Sequence, residues 1–367
     1  MNNAVLKTNR IIYIDLLRIL SILAVIILHI TATLLTSTND FNTASWWVSN
    51  LFNSAARFAV PVFFMISGAM ILRSEVKSYK TFFLKRIMPL VVSLVSWSLI
   101  YSIFTQYYLQ KSTMGAGEFL LSFAYKFILD RNYIHLWFLY AIIAIYLTVP
   151  LISRMVKACT EKELRYYLLL WFTVSIAYRF ITDCVLRITS ESLYVPIMNI
   201  PLFMGYLGYF ILGYYLFHYE ISRKLKNVLF NLGIVSFFLT PVATYFASMY
   251  SGVLDEMFYG NYSVTTFFMA AGLFILFKEK DVAISAKVND KVKRLVGSIS
   301  KASFSIYLIH LLIEIMVSRR TEVEGSLVET TVTLLFNLGA VFVVSYILVK
   351  ILNLNKIVTN VLFGGKG

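Results

Sequence analysis

Ten runs of roughly 20 largely apolar residues, each long enough to cross a hydrocarbon core of about 30 Å, decide what this chain can fold into. They lie at approximately 11–35, 45–72, 87–108, 134–153, 166–186, 199–217, 228–248, 262–277, 302–318 and 330–351. The second is long enough to tilt or break, and the eighth and ninth are short. A backbone in lipid must satisfy its own polar groups, so runs of this length read as helices. Composition points the same way. Apolar residues make up 59% and charged residues 14%, against about half and a quarter in soluble domains.

The net charge of +14 would on its own suggest a nucleic-acid partner. Sorted along the chain, it becomes an orientation. With a cytoplasmic N-terminus, 24 Lys and Arg fall in inner segments and six in outer ones, the positive-inside pattern. One missed span would invert every later loop, so the alternation supports the count. The expected fold is an all-α integral membrane protein of about ten transmembrane helices. Both termini are cytoplasmic, and residues 1–367 form one transmembrane domain with no soluble domain. The lipid bilayer, not nucleic acid, is the partner of this surface. Asp15 and Arg18 interrupt the first apolar run where a signal peptide's core would be unbroken, so it reads as a retained span. Cys159 and Cys184 imply no disulfide framework.

Three arginines, Arg18, Arg57 and Arg179, lie within spans, where each costs about 2.5–3.5 kcal/mol at a helix centre. Asp15, Arg18 and His29 share one face of the first span, and the eleven residues from Arg18 to His29 rise about 16 Å. They are either a bracing pair with a core histidine or the beginning of a site. In the second span, Asn50, Asn53 and Arg57 form a polar stripe. The asparagines suit interhelical hydrogen bonds, whereas Arg57 suits an ion pair or a substrate contact. Ser303, Tyr307, His310 and Glu314 make a stripe on the ninth span. His310 and Glu314 read either as a base with its orienting carboxylate or as a closed network. Arg179 and Asp183 are expected to pair with each other. Tyr133, His135 and Trp137 sit at the outer interface with Arg131, as belt residues or acceptor contacts. The four histidines are spread over both sides, and no metal spacing, phosphate loop or dinucleotide fingerprint is present, so no metal site is expected.

The run Asp15-Leu16-Leu17-Arg18 with His29 resembles the first-span signature of the acyltransferase family 3 membrane proteins. Arg57 with Val60-Pro61-Val62-Phe63-Phe64-Met65-Ile66-Ser67-Gly68 and the basic run Phe82-Phe83-Leu84-Lys85-Arg86-Ile87 are similar to two more of its motifs. So are His135-Leu136-Trp137-Phe138-Leu139 with Tyr146 and Pro150, and Ser305-Ile306-Tyr307-Leu308-Ile309-His310. They occur in family order over nearly the whole chain, with most likeness to the enterobacterial common antigen type. The resemblance implies an O-acyltransferase, most simply an acetyltransferase, in a bacterial cytoplasmic membrane. Acetyl-CoA would be the donor, and a surface glycan or its lipid-linked saccharide precursor the acceptor. By the resemblance, His29, Arg18 and Asp15 belong to the catalytic set, and Arg18, Lys85 and Arg86 hold the donor. Arg57, His135, Trp137, Tyr307, His310 and Glu314 are candidates for the acceptor side. Where many members carry a further arginine, this chain has Pro89. The same buried charges would also suit a transporter or exporter of a glycan or small anion, or a bundle that serves in assembly.

Overall fold

The computed structural model describes residues 10–130, 133–189, 205–318 and 325–365. Among them the chain is helical without strands, and nine helices are long and apolar enough to cross a membrane. These correspond to the first to fifth expected spans (Ile12–Ser37, Ala44–Ile71, Tyr79–Leu109, Trp137–Ala158, Glu161–Arg187) and the seventh to tenth (Arg223–Ser251, Met257–Lys287, Asp290–Val317, Leu327–Leu352). Of the sixth run, Leu207–His218 is a helix, and residues 199–204 lie outside the described residues.

Neighbouring helices test the direction of each pass. Phe64 stacks on Tyr206 with centroids 4.4 Å apart, and Arg73 lies 5.1 Å over the Phe217 ring. The second and sixth spans therefore run parallel, as three intervening passes require. Asp15 meets Ser300 and His29 meets His310, so the first and ninth spans also run parallel.

Helices outlast their apolar runs. The third begins at Tyr79 and the ninth at Asp290, because hydropathy marks lipid contact while the hydrogen-bond ladder continues into water. The second span breaks at Arg57–Phe58 into Ala44–Ala56 and Ala59–Ile71. Pro61 has no N–H for the Arg57 carbonyl one turn earlier, so the break falls there. Pro89 likewise cannot bond the Lys85 carbonyl, and Phe83–Ile87 widens into a π-turn that carries Lys85 and Arg86. Two helices stand where loop and tail were expected. Ala116–Ile128, with Leu120, Leu121, Tyr125 and Ile128 exposed, is an amphipathic segment too short to cross. Lys356–Phe363 folds back on the third span, where Trp97 Nε1 donates to the Leu362 carbonyl (2.8 Å) and Ser96 Oγ to that of Val361 (2.8 Å).

The first span sits at the centre, touching the second, eighth, ninth and tenth. Its inner residues Tyr13, Ile14 and Leu17 belong to one apolar core, and its outer residues Ile22, Val25 and Ile26 to another. Polar residues therefore gather at the seam between the cores. On the inner side, Glu220 accepts from Lys278 (2.8 Å) and Lys226 (2.9 Å), and Lys226 also reaches Glu279 (2.7 Å). The hydrogen bonds from Lys278 and Lys226 hold the Glu220 carboxyl down to about 2. A depressed carboxyl contributes stability above its unfolded value of about 4.3 and loses it as pH falls through about 2. Glu220 is exposed, so Glu220→Gln should cost well under about 1 kcal/mol at pH 7. Thermal melting of the two proteins should converge only below about pH 2.

Candidate active site

A cavity of about 260 Å³ opens in the seam between the two cores. Arg18, Ser300 and Lys301 line its inner part, and Tyr146, Phe138 and Tyr307 line it further along. Arg18 reaches this position from the first span, and the other polar groups come from the second, at Ser67, and from the fourth and ninth. Asp15 is nearly buried and shared: Arg10 Nε bonds one oxygen, and Ser300 Oγ (2.5 Å) and Arg18 (3.7 Å) meet the other. The expected Asp15–Arg18 pair is thus the weaker arm of a cluster that ties three segments together. From Asp15 to His29 the helix rises about 21 Å, so Asp15 acts on Arg18 and not on atoms near His29.

At the outer end of the seam three imidazoles converge. The His29 ring lies 5.3 Å from His310 and 6.3 Å from His135, and His135 lies 5.5 Å from His310. The fourth histidine, His218, stands at the other side, at the inner end of the sixth span, so the side chains lie on both sides as expected but three of them meet. Among the described residues, no group of three metal-binding side chains has the arrangement to hold an ion.

His310 is fully buried, and its Nδ1 faces the Tyr307 carbonyl at 2.7 Å. A carbonyl only accepts, so Nδ1 carries the proton and Nε2 is a bare lone pair. That Nε2 has no partner, and neither ring nitrogen of His135 has one. Buried polar atoms without partners are costly, and their convergence beside half-buried His29 marks a place built to receive a polar group. The oxygen that orients His310 belongs to Tyr307, not to Glu314, which is buried one turn further on.

Tyr307 joins the two regions. It lines the cavity, its hydroxyl donates to the His135 carbonyl, and its ring packs 5.4 Å from His135 and 5.5 Å from Phe138. Arg57 approaches from the second span. Asn53 Oδ1 and the Tyr259 carbonyl (3.1 Å) accept from it, and its guanidinium lies 3.9 Å over the Tyr259 ring. It forms no ion pair among the described residues, and its Nε has no partner. Asn53 also donates to Thr31 Oγ1 (2.7 Å), and Asn50 donates to the Pro241 carbonyl (2.9 Å), as expected of interhelical asparagines.

Lys85 and Arg86 line a separate inner pocket of about 450 Å³ with Lys77 and Ser78. Trp137 stacks on Tyr206 at 5.4 Å rather than standing alone at the interface. Arg179 makes no pair with Asp183; it lies 5.5 Å over the Tyr262 ring, while Arg187 takes Asp255 through two bonds (2.6 and 2.9 Å). Arg131 lies outside the described residues. Sequence reasoning missed Ser300, Lys301 and Tyr259. Extending the stripe of Ser303, Tyr307 and His310 back one turn reaches Ser300, but Tyr259 sits in the short turn Met257–Tyr259, in the connecting loop ahead of the regular helix Val264–Lys287 of the eighth span, and no periodicity marks it.

No curated protein and no solved structure matches the chain. A profile described as an acyltransferase domain matches residues 11–350, a stretch that contains the cavity, the histidine cluster and Arg57. The chain thus belongs to the acyltransferase 3 family and is a multi-pass membrane acyltransferase.

Proposed function

We propose that the protein transfers an acetyl group from cytoplasmic acetyl-CoA to a hydroxyl of a surface glycan or its lipid-linked precursor, in a bacterial cytoplasmic membrane. One observation carries this reading. A single cavity has Arg18 and Lys301 toward the basic, cytoplasmic side and Tyr307, which packs on His135 and His310, toward the other. The donor's phosphates meet Lys77, Lys85 and Arg86, whose exposed charges come from the π-turn and the loop before it. Its narrow arm follows Arg18 into the cavity and brings the thioester toward the histidines. The span of about 16 Å between Arg18 and His29 suits such an arm.

In the transfer itself, the acceptor oxygen attacks the thioester carbonyl carbon while His29 takes the hydroxyl proton. The C–S bond breaks, the acetyl ester forms, and CoA leaves as a thiol after taking up a proton. Arg57, with an unused N–H, stabilises the oxyanion. Asp15 is a positioning residue for Arg18. The glycan acceptor draws support from the motif likeness to the enterobacterial common antigen type.

The test is acetyl transfer from radiolabelled acetyl-CoA by the purified full-length chain, with acceptor glycan present. Label appearing in the glycan with CoA release is the expected result. A wild-type protein that neither binds nor consumes acetyl-CoA would overturn the reading. Arg18→Ala should raise the donor KM at least tenfold, read from initial rates, with a smaller change in kcat.

A further inference from the structure

A second pocket, of about 290 Å³, opens on the outer side, where the fifth span meets the loop before the eighth. Arg179 and Asp183 line it from the helix, Tyr206 from the sixth span, and Glu256, Asn261 and Tyr262 from the loop. Its walls are fixed. Arg187, one turn beyond Asp183, clamps Asp255 next to Glu256, and Tyr209 Oη donates to the Asn261 carbonyl (2.8 Å). Asn261 Nδ2 donates to Tyr206 Oη (2.9 Å), and the Tyr206 and Tyr262 rings lie 4.9 Å apart.

Inside these walls the Arg179 guanidinium rests over the Tyr262 ring at 5.5 Å. Among the described residues, Arg179, Asp183 and Glu256 form no ion pair, although two carboxylates and a guanidinium line one small space. Such a set offers acceptors, donors and aromatic surface together, which matches a sugar ring with its hydroxyls on the edge and C–H groups on the face. The volume lies at the lower end of small-molecule pockets, about 300 Å³, which suits one ring rather than a chain. Two carboxylates against one guanidinium leave the pocket negative, so it favours neutral or amino sugars and repels uronic acids and sugar phosphates.

The same loop reaches the reaction centre. Three residues after Glu256, Tyr259 gives its carbonyl to Arg57 and lies under the guanidinium. We propose that this pocket is the seat of a neutral or amino saccharide, and that it holds the acceptor for the acyl transfer. The second part of the proposal rests on the function proposed above.

The test uses full-length protein in lipid nanodiscs and methyl glycosides of glucose, N-acetylglucosamine, glucosamine and glucuronic acid, with binding read by saturation-transfer NMR titration. At least one of the first three should bind and the glucuronide should not. Glu256→Gln and Asp183→Asn, both at solvent-accessible positions, should each weaken binding at least tenfold and raise the acceptor KM equally, with the donor KM unchanged. Absence of binding by every glycoside, preference for the glucuronide, or equal binding by wild type and variants would overturn the seat. Pocket-dependent binding without acetyl transfer would leave the seat standing and overturn the proposed function. Transfer with an acceptor KM untouched by either substitution would do the reverse.

Discussion

His29→Ala is expected to lower kcat for acetyl transfer by about 10²–10⁴-fold, the span of general-base assistance, while the Kd for acetyl-CoA changes by less than about twofold. The separation of effects follows from position. The charges proposed to bind the donor, at Lys85, Arg86 and Arg18, lie on the inner side, and His29 stands three turns above Arg18 beside His135 and His310. Loss of fold is a poor explanation for such a defect. Among the described residues the His29 ring makes no hydrogen bond, so its removal leaves no partner unsatisfied and thermal melting should stay close to wild type. The pH–rate profile supplies a readout that a packing role would not move: its acid limb should disappear in His29→Ala. His310→Gln should behave differently. It removes a bare Nε2 on a ring whose Nδ1–H donates to the Tyr307 carbonyl, a group suited to receive a proton or a polar neighbour. It should cost kcat less than His29→Ala. A His29→Ala protein with wild-type kcat would remove His29 from the chemistry even if transfer itself is real.

Much of this arrangement is legible in the chain, for physical reasons that also set its limits. A lipid environment forces helices and sorts charge, so Lys and Arg positions alone orient the loops, and the parallel pairings of Phe64 with Tyr206 and Asp15 with Ser300 agree with that orientation. Helical periodicity puts Arg18 and His29 on one face because both belong to one rigid element. Periodicity is silent on which face of one span meets which face of another. The meeting of His29 with His135 and His310, from three different spans, is therefore visible only in the fold. Arg179 illustrates the opposite error. Spacing makes Asp183 its natural partner, yet the Tyr262 ring takes up the guanidinium. The tail helix Lys356–Phe363 is hidden for another reason. Its anchors are main-chain carbonyls accepting from Ser96 and Trp97, and every sequence supplies carbonyls.

The second large effect is on folding. Gly68→Leu and Gly213→Leu should each abolish a monodisperse folded protein, as read by size-exclusion chromatography and thermal melting in detergent. The second and sixth spans cross here with their backbones in contact. A Cβ at Gly68 would overlap the Phe210 carbonyl, and a Cβ at Gly213 would overlap that of Met65. In lipid there is little hydrophobic force between helices, so close backbone approach at small residues supplies much of the association. Overpacking in a core usually costs about 1–3 kcal/mol because side chains can shift. Here the obstacles are main-chain atoms of two helices, so relief requires the spans to separate. Separation would pull on both halves of the enzyme at once. The second span carries Phe63 and Ser67 to the cavity, and the sixth carries Tyr206 to the outer pocket. Gly68→Ala should act in the same direction with a smaller loss of melting temperature. Phe238→Ala, on a lipid-facing side chain 66% exposed, should leave melting nearly unchanged. A Gly68→Leu protein that elutes as a single species and melts with wild type would mean that the two spans do not cross at this point.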